Sequence, residues 1–131
     1  MTVRELSCAL SLKALAGDCA SNARVEGCCI GDLLSWVMSH AKEGSVWITV
    51  IGSVNAIAVA KLVGAVCVVL CEGACLDNEA GEKADEHKIA VFGSSETAYT
   101  LALKIGLLLG TAAETNALPV DQTKYAKEMT E

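Results

Sequence analysis

The chain is 131 residues long, the size of one domain, with 53% hydrophobic and 20% charged residues. That balance can fill a core and excludes a mainly disordered chain. A formal net charge of -6 excludes nucleic-acid binding through a basic surface, and 4% aromatic residues exclude an extended stacking platform. The charge is uneven. Residues 1–70 hold five basic and five acidic side chains, whereas 71–131 hold five basic and eleven acidic, concentrated in 72–86.

The first element reads as a helix ending near Leu12, with Thr2 and Glu5 as a capping box and Val3, Leu6 and Leu10 on its buried side. A short extended piece, Lys13 to Ala16, precedes a Gly17-Asp18 turn, and a small-residue loop covers Cys19 to Asn22. Val25 to Ile30 reads as a strand interrupted by Gly27. Asp32 is the expected N-cap of a helix over Leu33 to Ala41, closed by Lys42-Glu43-Gly44.

Val46 to Leu70 is the longest apolar run, and only Lys61 charges it. Its length would allow a membrane span. Breaks at Gly52-Ser53 and Gly64, with β-branched ends and an Ala-rich middle, favour strand 46–51, helix to about Val63 and strand 65–70. Ser53 or Asn55 is the expected cap of that helix, and Gly64 its end.

Asp77 should cap a polar, solvated helix to about His87. Ile89 to Phe92 reads as a strand, and Ser94 or Ser95 as the cap of a last helix over about 96–109, closed by Gly110. From 111 on the composition turns polar and contains the only proline, Pro119, which reads as a C-terminal tail. The expected fold is therefore α/β: one domain over 1–110, a single, mostly parallel sheet flanked by helices, followed by the polar tail 111–131.

Ligands on such sheets sit beyond the carboxyl ends of the strands. Gly followed by small polar residues recurs at those ends, where backbone N–H groups at helix starts suit an anion. The candidate contacts are Asp32, Ser53, Asn55, Ser94, Ser95 and Thr97. Every α/β loop needs turn and cap residues of this kind, so the pattern alone is a weak signal.

No Walker-type phosphate loop, G-x-G-x-x-G, H-E-x-x-H or G-x-S-x-G string occurs, so no catalytic constellation and no cofactor are expected. His40 and His87 fall late in predicted helices, where they meet free carbonyls. The seven cysteines are odd in number, and the N-terminus runs directly into an amphipathic pattern, which points to a reducing, cytoplasmic setting with most thiols acting as small apolar side chains. Cys67-x3-Cys71-x3-Cys75 is the sharpest pattern among them. Residues four apart on one strand lie about 13 Å apart, so Cys67 and Cys71 cannot share a metal there. Cys71 and Cys75 span a loop and remain weak candidates for a metal or redox site. Cys28 and Cys29 should point to opposite faces of a strand.

The strings Met1-Thr2-Val3-Arg4-Glu5-Leu6, Leu15-Ala16-Gly17 and Arg24-Val25-Glu26-Gly27 are followed in order by Gly31-Asp32-Leu33-Leu34-Ser35, Lys42-Glu43-Gly44-Ser45-Val46-Trp47-Ile48-Thr49 and Asn55-Ala56-Ile57-Ala58-Val59-Ala60. Together, over about 1–110, they resemble the small stand-alone proteins of the DRTGG-domain family, which is similar to the N-terminal domain of HPr kinase/phosphorylase. The Asp-Arg-Thr-Gly-Gly string itself is missing here, so no site is carried over from it. Relatives occur as accessory domains joined to CBS domains or phosphotransacetylase-type enzymes, and stand-alone versions are often encoded near iron hydrogenases. The resemblance implies a non-catalytic regulatory or protein-interaction module, accessory to an oxidoreductase of hydrogenase type or to energy metabolism. A sensor of a nucleotide or other anionic metabolite is the alternative, and a cysteine-based metal or redox site a third. A homodimer is expected, with neither nucleic acid nor membrane as partner. Trp36 and Trp47 are candidates for its interface or for the core.

Overall fold

A computed structural model describes residues 1–110; the expected tail lies outside the described residues. The elements run α1 (Val3–Ala9), β1 (Lys13–Ala16), β2 (Gly27–Ile30), α2 (Leu34–His40), β3 (Ser45–Thr49), α3 (Val54–Val63), β4 (Cys67–Leu70), α4 (Asn78–His87), β5 (Val91–Gly93) and α5 (Ala98–Leu109). One five-stranded sheet has the order β1-β5-β4-β3-β2. Strands β2 to β5 are parallel neighbours, and β1 joins β5 antiparallel. The α/β fold class is as expected from the sequence.

Each crossover from β2 to β5 moves one place in the same direction. The right-handed rule therefore puts α2, α3 and α4 on one face. The packing agrees: Val37, Ala56, Ile57, Ala60, Ala80 and Ala84 pack on Trp47, Val68, Leu70 and Val91. The other face carries α1 and α5, where Val3, Leu6, Leu101 and Ile105 pack on Val46, Ile48, Cys67, Val69 and Phe92. Consecutive residues of β3 and β4 thus serve opposite faces and all are buried, which is why these strands read as unbroken apolar runs. Trp47 is fully buried, with its indole N–H donating to the Gly31 carbonyl at 2.9 Å. Of the two tryptophans it belongs to the core. Trp36 stays half-exposed and stacks on His40 at 4.1 Å.

Several boundaries differ from the sequence reading. The first helix stops at Ala9, because Ser11 adopts a left-handed φ of 51° that turns the chain into β1. Val25 is not in a strand: it is buried and donates its N–H to the Met1 carbonyl. Strand β3 ends at Thr49, β4 begins at Cys67 and β5 begins at Val91. Thr2 does cap α1, accepting from the Glu5 N–H. Asp32 does not cap α2. Leu33 holds that position with no side-chain cap, while the Asp32 carboxylate accepts from Thr49 Oγ1 at 2.8 Å and Val50 N–H at 3.0 Å. Neither Ser94 nor Ser95 caps α5; Thr97 does, accepting from the Thr100 N–H. Ser53 and Asp77 hold N-cap positions without making a side-chain cap bond. No helix among the described residues is long and apolar enough to cross a membrane.

Candidate functional site

The carboxyl ends of β4 and β5 and the start of the antiparallel β1 meet at one corner of the sheet. A groove of about 1100 Å³ opens there. Leu10, Ser11, Lys13 and Leu15 form one wall, and the loop Gly73–Asp77 with the α4 residues Asn78, Gly81, Glu82 and Asp85 forms the other. Gly93, Ser94, Ser95 and Glu96 close its end.

The groove walls are held by backbone bonds. Glu72 and Gly73 both take left-handed φ, 56° and 70°, which turns the chain sharply after β4. Their N–H groups donate to the carbonyls of Glu96 and Ser94, each at 2.8 Å, and so tie the two loops together. The Asp77 N–H donates to the Gly52 carbonyl at 2.8 Å. Gly52 lies so close to this loop that a Cβ there would stand 2.0 Å from the Cys75 carbonyl oxygen. The β3–α3 loop thereby braces the groove from behind without lining it.

The groove lining is mostly acidic. Among the described residues Lys13 is the one cationic side chain that lines it, against the carboxylates of Asp77, Glu82, Asp85 and Glu96. Two of these are engaged. Asp85 accepts from the Gly17 N–H at 2.7 Å, and Glu96 Oε1 accepts from Lys104 at 2.6 Å. The other Glu96 oxygen, Oε2, is shielded from solvent and has no partner among the described residues. A shielded acceptor without a donor is costly.

Of the candidates named from sequence, Ser94 and Ser95 line the groove. Asp32, Ser53, Asn55 and Thr97 do not. Asp32 is spent on the β3 terminus, and Thr97 on its own helix. Ser94 Oγ accepts from the Glu96 N–H at 3.1 Å, so it shapes the loop as well as facing the cavity. The cysteine pair is split. Cys71 is buried just beyond β4, with its thiol on the Thr49 carbonyl at 3.7 Å, whereas Cys75 is exposed on the groove wall. Burial, with smaller contributions from Glu72 and Asp32, raises the Cys71 pKa and keeps it a thiol, the unreactive form. Among the described residues no three His, Cys, Asp or Glu side chains lie close enough together to hold a metal ion. Cys28 and Cys29 do fall on opposite faces, since they register with Val46 and Trp47 respectively.

Sequence reasoning missed Ser11, Lys13, Asn78 and Glu96. Ser11 precedes, and Lys13 opens, an edge strand that runs against the others, so the carboxyl-end rule does not reach them. Only the β1–β5 pairing, Lys13 opposite Gly93, brings them to the site.

No family model matches this sequence, and no curated protein matches it. Among solved structures the chain is similar to the CBS and DRTGG domains of the regulatory region of Clostridium perfringens pyrophosphatase, described in complex with its activator diadenosine tetraphosphate. The likeness has a TM-score of 0.66 at 14% identity and covers 79% of this chain. It covers 45% of the neighbour, so this chain spans less than half of that structure's length. At this identity the likeness shows the fold: a small α/β domain with the architecture found in that regulatory region.

Proposed function

We propose that this chain is a regulatory module that senses a nucleotide in the groove between β1, β5 and α4. The observation that carries the reading is the groove itself. It is large enough for a nucleotide, braced by backbone bonds and set at the carboxyl ends of parallel strands. One lysine and two serines beside several carboxylates suit a molecule that carries both an anionic group and hydroxyl or amine donors. Phosphate would meet Lys13, Ser94 and Ser95, while ribose or base donors would meet the carboxylates of Asp77 and Glu82. The binding of a dinucleotide by the neighbouring pyrophosphatase region supports the same class of ligand. The oxidoreductase partner that the family resemblance implies gains no support from the described residues, and the proposal does not include it.

Thermal unfolding with a panel of mono- and dinucleotides tests the reading. A ligand at 100 times its dissociation constant adds about 2.7 kcal/mol of stability, a readily visible rise in Tm. Lys13→Glu should weaken the effective nucleotide about ten-fold or more by turning attraction into repulsion. Asn55→Ala should leave binding unchanged. A panel without any shift, or a shift that Lys13→Glu leaves intact, would overturn the proposal.

A further inference from the structure

We propose that Gly81 is a specificity-determining residue of the groove: lacking a side chain, it leaves a slot on α4 in which the base of the nucleotide lies. The inference rests on the nucleotide reading of the groove. Asn78, Gly81, Glu82 and Asp85 all line the groove, and their spacing puts them on one face of α4. Gly81 lies in the middle of that face.

The fold does not ask for glycine at this position. Gly81 is inside the helix, its N–H donates to the Asp77 carbonyl at 2.9 Å, and its φ is not left-handed. Within a helix glycine gives up more backbone freedom than alanine and so weakens the element. Space does not ask for glycine either. A Cβ at Gly17 or Gly52 would collide with backbone atoms at 1.7 and 2.0 Å. One at Gly81 would meet Leu76 Cδ2 at 3.6 Å, an ordinary contact, and no other atom within 4 Å outside its own helix.

What the missing side chain changes is the groove. Asn78 and Asp85 stand about 10 Å apart along the helix axis, and between them the wall is bare helix at Gly81. The surroundings are apolar. Ala74 and Leu76 are half-buried on the same wall, and Leu10 and Leu15 on the opposite one. A nucleobase is flat, with apolar faces and a polar edge. Its faces suit the aliphatic walls. Its edge suits Asn78, whose carboxamide offers both a donor and an acceptor and has no hydrogen-bond partner among the described residues. Lys13, Ser94 and Ser95 remain for the phosphates.

Equilibrium binding of adenosine triphosphate, diadenosine tetraphosphate and base-free tripolyphosphate tests the slot, together with thermal unfolding. Gly81→Leu fills the slot with a good helix former. Its Tm should equal or exceed that of the wild type, and both nucleotides should bind about ten-fold more weakly or worse, with tripolyphosphate unaffected. Gly81→Ala should raise Tm by about 3–5 °C and weaken the nucleotides less. A slot filled at no cost to the fold separates this role from a structural one. Nucleotide binding that survives in Gly81→Leu but is weakened by Lys13→Glu overturns the slot and leaves the nucleotide reading standing. Equal losses of nucleotide and tripolyphosphate also overturn it, since the whole groove is then disturbed. Binding lost in Gly81→Leu but intact in Lys13→Glu upholds the slot and overturns the reading of the phosphate end. A wild type that binds neither nucleotide overturns the slot, and the nucleotide reading falls with it only if the whole panel is silent.

Discussion

Replacing Gly52 by alanine probes the link between the β3–α3 loop and the groove. Gly52 is buried behind the groove, and its added Cβ would stand 2.0 Å from the Cys75 carbonyl oxygen, 2.9 Å from the Cys75 carbonyl carbon and 3.0 Å from Leu76 Cα. All three are backbone atoms, so no side chain can swing away. The loop must retreat by about 1 Å to reach even a tight contact, and interiors packed at crystal density do not absorb that locally. The retreat pulls Asp77 from the Gly52 carbonyl, now bonded at 2.8 Å. Losing that bond costs about 1 kcal/mol, and the overpacking costs a further 1–3 kcal/mol or so. A total of about 2–4 kcal/mol lowers Tm by roughly 10–20 °C in a domain of this size. Thermal unfolding followed by circular dichroism reads the shift. Because the displaced segment is the groove wall, nucleotide binding should weaken in the same variant. A Tm within about 2 °C of wild type, with binding intact, would refute the idea that this loop is braced by a close backbone approach.

The other expectations concern the sheet ends and the buried thiols. Asp32→Ala should cost about 1–3 kcal/mol, because it leaves the buried Thr49 hydroxyl and the Val50 N–H without their acceptor; binding in the groove should not change, and a binding defect without a stability loss would contradict the placement of Asp32. Thr97→Ala should lower stability by about 0.5–2 kcal/mol as a lost helix cap, and Ser95→Ala should not; equal effects in denaturant titrations would show the cap misassigned. Burial pushes the Cys67 thiol up from 9.0 to about 12. Its folded pKa is therefore raised, so its contribution is fully present below the unfolded value near 9 and is lost as pH rises toward about 12, at about 1.4 kcal/mol per pH unit. The wild type should lose stability through that window more steeply than Cys67→Val, and parallel curves for the two proteins would refute the burial argument.

The architecture was legible because its signals are local. The apolar runs of β3 and β4, the Ala-rich α3 and the αL glycines Gly64 and Gly110 that end α3 and α5 carry their meaning within a few residues. So do the Thr2–Glu5 box and the split of Cys28 and Cys29 between faces, since strand alternation needs no partner to be read. The helix caps were less legible. Asp32 has the right side chain at the right place, yet a hydroxyl seventeen residues on, Thr49, takes its carboxylate. Local propensity cannot register that competition.

The groove belongs to the tertiary structure. Ser94 and Ser95 could be found from sequence because they follow a strand directly. Lys13 faces them only because β1 closes the sheet antiparallel beside β5, a pairing across some eighty residues. The same holds for Glu96, whose unpartnered oxygen depends on how Lys104 folds back one helix later. The sequence by itself determined which segments form strands and helices and which faces they bury, because burial periodicity is written into each segment. Which loops meet, and what charge they gather, depended on strand order, since electrostatic neighbours in space are set by the sheet and not by spacing along the chain.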